Sequence, residues 1–153
     1  MPRKILLTKE GLEKYQLELK VLQNSLPNIL KEVQRTAAMG DRSENAGYQN
    51  AKSMLRRSQS RISYLERLLR NAEILRKYKR EKIGLGCDVT LEDIQTHKKV
   101  TYTLVNSLEV DPKRGYVSPK SPLGSAISGK RVGDIVKVIA HENTFTYKVV
   151  AID

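Results

Sequence analysis

The chain has 153 residues, a formal net charge of +11 and a single cysteine, Cys87. That length suits one ordinary domain or two small ones, and a lone cysteine excludes an intramolecular disulfide. No run of about 18 apolar residues occurs, because Ile5-Leu6-Leu7 is stopped by Thr8-Lys9-Glu10; no membrane span and no signal segment are expected, and a cytoplasmic location is. His97 and His141 are isolated from each other and from Cys87, which argues against a structural zinc site. The positive charge is concentrated: residues 42–80 carry 11 Lys/Arg against 3 Asp/Glu, whereas residues 81–153 carry 10 against 9. A field of that kind attracts polyanions and favours nucleic acid, or a machine that handles it, as partner. A solvated helix face explains the same charge equally well.

From Leu12 the apolar positions Leu12, Tyr15, Leu19, Leu22, Leu26, Ile29 and Val33 alternate steps of three and four, the spacing of a heptad seam. Ala51, Leu55, Ser58, Ile62, Leu65, Leu69 and Ala72 repeat it with one polar exception, Ser58. Between the two seams the segment 36–47 is polar and small, and Gly40 offers a turn. The pattern predicts an antiparallel α-helical coiled-coil hairpin over 1–80 with its tip at 40–48. Pro27 is expected to kink the first helix.

After Lys82 the period becomes two. Cys87, Val89 and Leu91, then Val100, Tyr102 and Leu104, then Phe145, Tyr147, Val149 and Ala151 alternate with polar residues and predict antiparallel strands. Ile135 to Ala140 and Thr144 to Ile152 are expected to form a hairpin through His141-Glu142-Asn143. One short helix is expected after Ser121, an N-cap followed by Pro122 at the first helical position, with Gly129 as its stop. The fold class is therefore α+β: a helical hairpin followed, over 81–153, by a small antiparallel sheet domain with one short helix.

Asp41 and Glu44 stand three apart at the tip. Spacing alone favours a purely structural role, an Asp N-cap with Glu at the third helical position. The alternative is chemical: two exposed carboxylates jointly hold a divalent cation, but only with a partner, since Mg²⁺ keeps most of its waters and needs more ligands than two side chains provide. Downstream, Lys52, Arg56, Arg57 and Arg61 lie off the seam, and no acidic residue occurs between Glu44 and Glu66. Attraction for a phosphate backbone is the functional reading of that basic wall, and helix solvation the plain one.

Gly40-Asp41-Arg42-Ser43-Glu44-Asn45-Ala46, followed by Tyr48, resembles the hairpin-tip signature of the GreA/GreB transcript-cleavage factors, with Arg42 and Gln49 leaning toward the GreB branch. The resemblance extends to Leu7-Thr8-Lys9-Glu10-Gly11, Asn71-Ala72-Glu73-Ile74, Ser121-Pro122-Leu123-Gly124, Gly129 and Val132-Gly133-Asp134, several motifs in one order across nearly the whole chain. It implies a coiled coil followed by an FKBP-like domain, without implying isomerase activity. It further implies a factor that docks its second domain at the rim of the RNA polymerase secondary channel and extends the hairpin toward the active centre. There it stimulates cleavage of the nascent RNA 3′ end in backtracked complexes. On this reading the chain is not itself an enzyme: Asp41 and Glu44 help hold a Mg²⁺ shared with polymerase, and none is bound stably by the chain alone. Ser43, Asn45 and Tyr48 support the tip, Lys52, Arg56, Arg57 and Arg61 bind extruded RNA, and Lys120, Ser121 and Pro122 dock to polymerase.

Two departures bear on those expectations. Gly47 stands where an acidic residue is common in the family, and Lys120 where Asp or Asn is common. A non-catalytic secondary-channel regulator is the competing function, although such relatives have an altered tip and both acids persist here. A general nucleic-acid-binding coiled coil, on RNA or DNA, is a third. The seams satisfy each other within one hairpin, so a monomer with no membrane partner is expected.

Overall fold

The computed structural model describes residues 3–39, 45–76 and 80–153. Within these the chain divides into two compact units, one built on 10–72 and the other on 5–9 with 73–153.

The first unit is the helical hairpin. Helix α1 spans Lys9–Ala37 and α2 spans Ala46–Arg70. All seven predicted seam residues of α1 are buried or half-buried, whereas Leu17, Val21 and Leu30, which fall off the seam, are exposed. Thr36 continues the α1 seam one step further and is buried. Its hydroxyl, which would be costly to bury unpaired, donates to the carbonyls of Glu32 at 2.8 Å and Val33 at 3.1 Å. In α2, Ala51, Ser58 and Leu65 are buried, so the polar exception Ser58 faces inward with the rest. The helices are antiparallel: as α1 advances from Glu18 to Thr36, its partners in α2 recede from Arg61 to Asn45. Pro27 lies on the exposed side, and α1 runs through it without a break.

The second seam is one residue group shorter than expected. Helix α2 stops at Arg70, where Asn71 closes it: its backbone N–H reaches the carbonyls of Leu68 and Leu69 and its side chain donates to that of Arg67 at 3.1 Å. Ala72 therefore leaves the helix and opens a strand, β2 (Ala72–Ile74), which pairs with β1 (Ile5–Leu7) in a two-stranded sheet.

The second unit contains β1, most of β2 and a five-stranded sheet. The further elements are β3 (Asp88–Asp93), β4 (Lys99–Leu104), β5 (Tyr116–Val117), α3 (Pro122–Ile127), β6 (Ile135–Ala140) and β7 (Asn143–Ile152). The order across the sheet is β5-β4-β3-β7-β6. Neighbours run antiparallel except β4 and β5, a short parallel pair matching Thr103 with Tyr116 and Leu104 with Val117. One face carries the core: Cys87, Val89, Leu91, Leu104, Val136, Val138 and Val149 from the sheet, closed by Ile83 and by Ile127 of α3. Glu109 ties the start of the chain to this unit by accepting from the backbone N–H and the hydroxyl of Thr8.

The β6–β7 connection is tighter than the three-residue loop expected. Ala140 pairs with Asn143, leaving His141 and Glu142 alone in the turn with φ of 50° and 69°. Two successive left-handed residues match a two-residue turn to the twist of the flanking strands. His97, with φ of 60°, also adopts the left-handed conformation, in the β3–β4 turn, so both histidines are exposed turn residues.

Candidate functional site

Asp41, Ser43 and Glu44 lie outside the described residues; the two ends of the segment that carries them do not. The N-cap of α2 is Asn45, with φ −82° and ψ 103°, and its side-chain oxygen accepts from the backbone N–H of Tyr48 at 3.1 Å. The cap expected at Asp41 therefore sits four residues later, which removes the capping-box explanation for Asp41 and Glu44. The other end of the same amide donates to the carbonyl of Thr36 at 2.8 Å and to that of Met39 at 3.3 Å. The Thr36 carbonyl lies in the last turn of α1, where it also accepts from the Met39 N–H at 3.2 Å, and Met39 lies just beyond the helix. Gly47 adjoins this tie: a Cβ there would stand 3.2 Å from the Asn45 side-chain oxygen and 3.6 Å from the Thr36 methyl.

The four cations of the basic wall do not form one surface. At about 100° of rotation per residue, Lys52 and Arg56 fall on one flank of the seam and Arg57 and Arg61 about 140° away on the other. Lys52 lies over the Tyr48 ring at 5.1 Å, bringing a tip-support residue and a basic-wall residue together. Arg56 donates to Ser53 at 3.3 Å and keeps its charge uncompensated by any described carboxylate. Arg61 is engaged differently. Its Nε and an Nη donate to the two carboxylate oxygens of Glu18 on α1, at 2.6 and 3.0 Å, and its guanidinium lies 5.2 Å from the Tyr64 ring. The Arg61 hydrogen bond holds the Glu18 carboxyl below its ordinary range, and Glu18 raises Arg61 in turn. The acidic partner absent along α2 is thus supplied across the hairpin. Lys52 and Arg56, with Arg57, are the cations left to meet an external phosphate.

At the expected docking corner, Ser121 is a structural residue. It accepts from the Gly124 N–H at 3.0 Å, capping α3, and donates to the Ser118 carbonyl at 2.6 Å. The hydroxyl's one donor is consumed and Ser121 is half-buried, while Lys120 and Pro122 are the exposed members of the trio. Gly124 holds α3 against the chain: a Cβ there would lie 1.8 Å from the Ser118 oxygen. Among the described residues no three His, Cys, Asp or Glu side chains gather into a metal site.

Comparison with known proteins accounts for both units. Residues 5–74 match the family described as "Transcription elongation factor, N-terminal", and residues 78–153 match "Transcription elongation factor, GreA/GreB, C-term". The chain is 38% identical over 155 residues to "Transcription elongation factor GreA" of Chloroherpeton thalassium, covering 99% of this chain and 98% of that one. It is 36% identical over 141 residues to the protein of the same name from Thermoanaerobacter pseudethanolicus, covering 90% of each. Among solved structures, GreA factor homolog 1 of Thermus thermophilus is 31% identical over 99% of both chains, with a TM-score of 0.45. The relatives named GreA leave the GreB lean resting on Arg42 and Gln49. Family matches along nearly the whole length, joined to identity above 30% at full coverage, assign the chain to the GreA/GreB family of transcription elongation factors.

Proposed function

We propose that the chain binds RNA polymerase, extends its helical hairpin into the secondary channel and stimulates cleavage of the 3′ end of backtracked RNA. The observation that carries this reading is the tied base of the hairpin, from which a segment bearing Asp41 and Glu44 departs and to which it returns. With Asn45 as the cap of α2, Asp41 is not needed as its N-cap, which supports a chemical use of the tip acids.

Two carboxylates suit a shared Mg²⁺ and not a resident one, because the ion keeps water ligands and calls for further oxygens that polymerase and the RNA phosphates supply. Such an ion stabilises charge at phosphorus and activates a water. The chain's own part is to bring Asp41 and Glu44 to the reacting phosphate; the nuclease activity belongs to polymerase, and the chain is not itself an enzyme. Lys52 and Arg56 offer one flank to the extruded RNA and Arg57 the other, while Lys120 and Pro122 form the exposed part of the docking corner. The chain acts as a monomer, its seams being occupied within one hairpin.

The test is a stalled, backtracked elongation complex incubated with Mg²⁺ with and without the chain. RNA shortened from its 3′ end and resumption of synthesis are expected with the chain present; binding to polymerase with slowed elongation and no cleavage would instead support the non-catalytic regulator.

A further inference from the structure

Strand β6 is an outer strand of the five-stranded sheet, and no described strand pairs with its far edge. Which backbone groups that edge presents follows from the ladder on its other side. The Val149 N–H donates to the Asp134 carbonyl at 2.9 Å, while the Thr146 carbonyl is turned the opposite way, toward the end of β3, and accepts from the Ile94 N–H at 3.1 Å. Antiparallel pairing alternates, so Val136 and Val138 direct their N–H and C=O groups to Tyr147 and Phe145. Ile135, Lys137 and Ile139 therefore point theirs away from the sheet, where an incoming strand can pair with them.

The side chains of the same three residues share one face. Val136 and Val138 are buried in the core with Ile127 of α3, and alternation puts Ile135, Lys137 and Ile139 on the opposite face. Ile135 is 62% exposed and Ile139 69%, so two large aliphatic side chains flank a cation with little to cover them. Across β7 the three meet Lys148, Thr146 and Thr144, and no carboxylate stands opposite Lys137 within the sheet. A lysine on an open edge guards against indiscriminate pairing. Centred antiparallel pairing of β6 with a second copy sets Lys137 against Lys137, which is repulsive, whereas a strand carrying an acid at that position is attracted. A guard alone leaves Ile135 and Ile139 unexplained. Apolar residues two positions to either side of such an acid would cover both.

We infer that β6 is a site for β-strand addition by an extended segment of a partner protein with the pattern apolar-x-acidic-x-apolar, the acid facing Lys137 and the apolar residues facing Ile135 and Ile139. The pattern reads alike in both directions, so strand polarity does not alter it. Main-chain hydrogen bonds supply the attachment, and the three alternate side chains supply the selection. No residue of the hairpin or of the docking corner takes part, and the inference stands apart from the cleavage reading.

The test uses the full chain and the capped peptide Thr-Val-Thr-Glu-Thr-Val-Thr, with a second peptide in which lysine replaces the glutamate. In the free chain the amide protons of Ile135, Lys137 and Ile139 should exchange with solvent about a hundredfold faster than those of Val136 and Val138. The glutamate peptide should slow exchange at those three positions, shift their NMR signals and bind about fivefold more tightly than the lysine peptide at low salt. Lys137→Glu, an exposed substitution expected to keep the thermal midpoint, should reverse that order, and Ile135→Ser with Ile139→Ser should weaken both peptides. Absence of binding by the glutamate peptide, equal binding of the two peptides, an order that Lys137→Glu leaves unchanged, or shifts confined to other parts of the chain would overturn the proposal. Slow exchange at all three amides in the free chain would overturn it too, with a dimer in sedimentation identifying a second copy as the occupant.

Discussion

In the sheet unit Val89, Leu91, Leu104, Ile127 and Val149 are each 1% exposed or less; along the hairpin seam Leu65 alone reaches that level and most seam residues are half-buried. The hairpin adds to its thin apolar seam a set of polar ties between helices, Asn45 to Thr36 and Arg61 to Glu18. A two-helix rod has no third layer with which to cover its seam, whereas a sheet closed by α3 does. The stability of one unit is therefore mostly area removed from water. The geometry of the other depends more on a few directional contacts between its helices.

The largest expected difference lies in matched truncations. Leu91→Ala should cost about 3–4 kcal/mol in denaturant unfolding of the sheet unit. Leu22→Ala, on the half-buried seam, should cost about 1 kcal/mol, because less apolar surface is lost and the site is open to water. Equal costs would erase the distinction drawn between the units. Next comes Gly124→Ala, expected to destabilise by about 2 kcal/mol or more and to displace α3, since the new methyl must move the Ser118 carbonyl. A crystal structure of that variant with α3 in its parental position would refute the close-approach argument.

Smaller effects sharpen the picture. Ser121→Ala should cost about 1 kcal/mol by thermal unfolding, through loss of the α3 cap, whereas Lys120→Asp should leave the thermal midpoint alone and change polymerase affinity without altering cleavage at saturation. Glu18→Gln should cost about 0.5 kcal/mol, as expected for a half-exposed pair. Its sign with pH follows from the depressed Glu18 pKa. The pair stabilises fully above the ordinary carboxylate range and is lost as pH falls through the lowered folded value, so parent and variant should converge in acid. Glu18→Gln also frees Arg61, and RNA affinity measured at low salt should rise; an unchanged affinity would mean that Arg61 faces no RNA even when unpaired.

The heptad steps made both helices legible, because seven seam positions in a row leave no other period for α1. Alternation made β3, β4, β6 and β7 legible in the same way. The strands β1 and β2 escaped because three residues are too few to display a period, and Ala72 happened to continue the α2 seam by spacing. Asp41 and Glu44 imitate a capping box, which hid the real cap one residue beyond them. Splitting the basic wall needed only the 100° rotation already implied by a helix, so that information was present in the residue numbers. The Glu18–Arg61 pair was not, since it depends on how the two helices are registered against each other, and neither seam records that register.

The central claim is that the tip acts through two carboxylates held on a tied base while the second domain anchors the chain. Cleavage of a backtracked transcript, followed as rate against factor concentration for the parent and for Asp41→Ala/Glu44→Ala, tests it most directly. The double variant should lose at least a hundredfold in maximal rate and keep the parental half-saturating concentration in a competition assay for polymerase binding. Parental cleavage by a variant that binds normally would contradict the account.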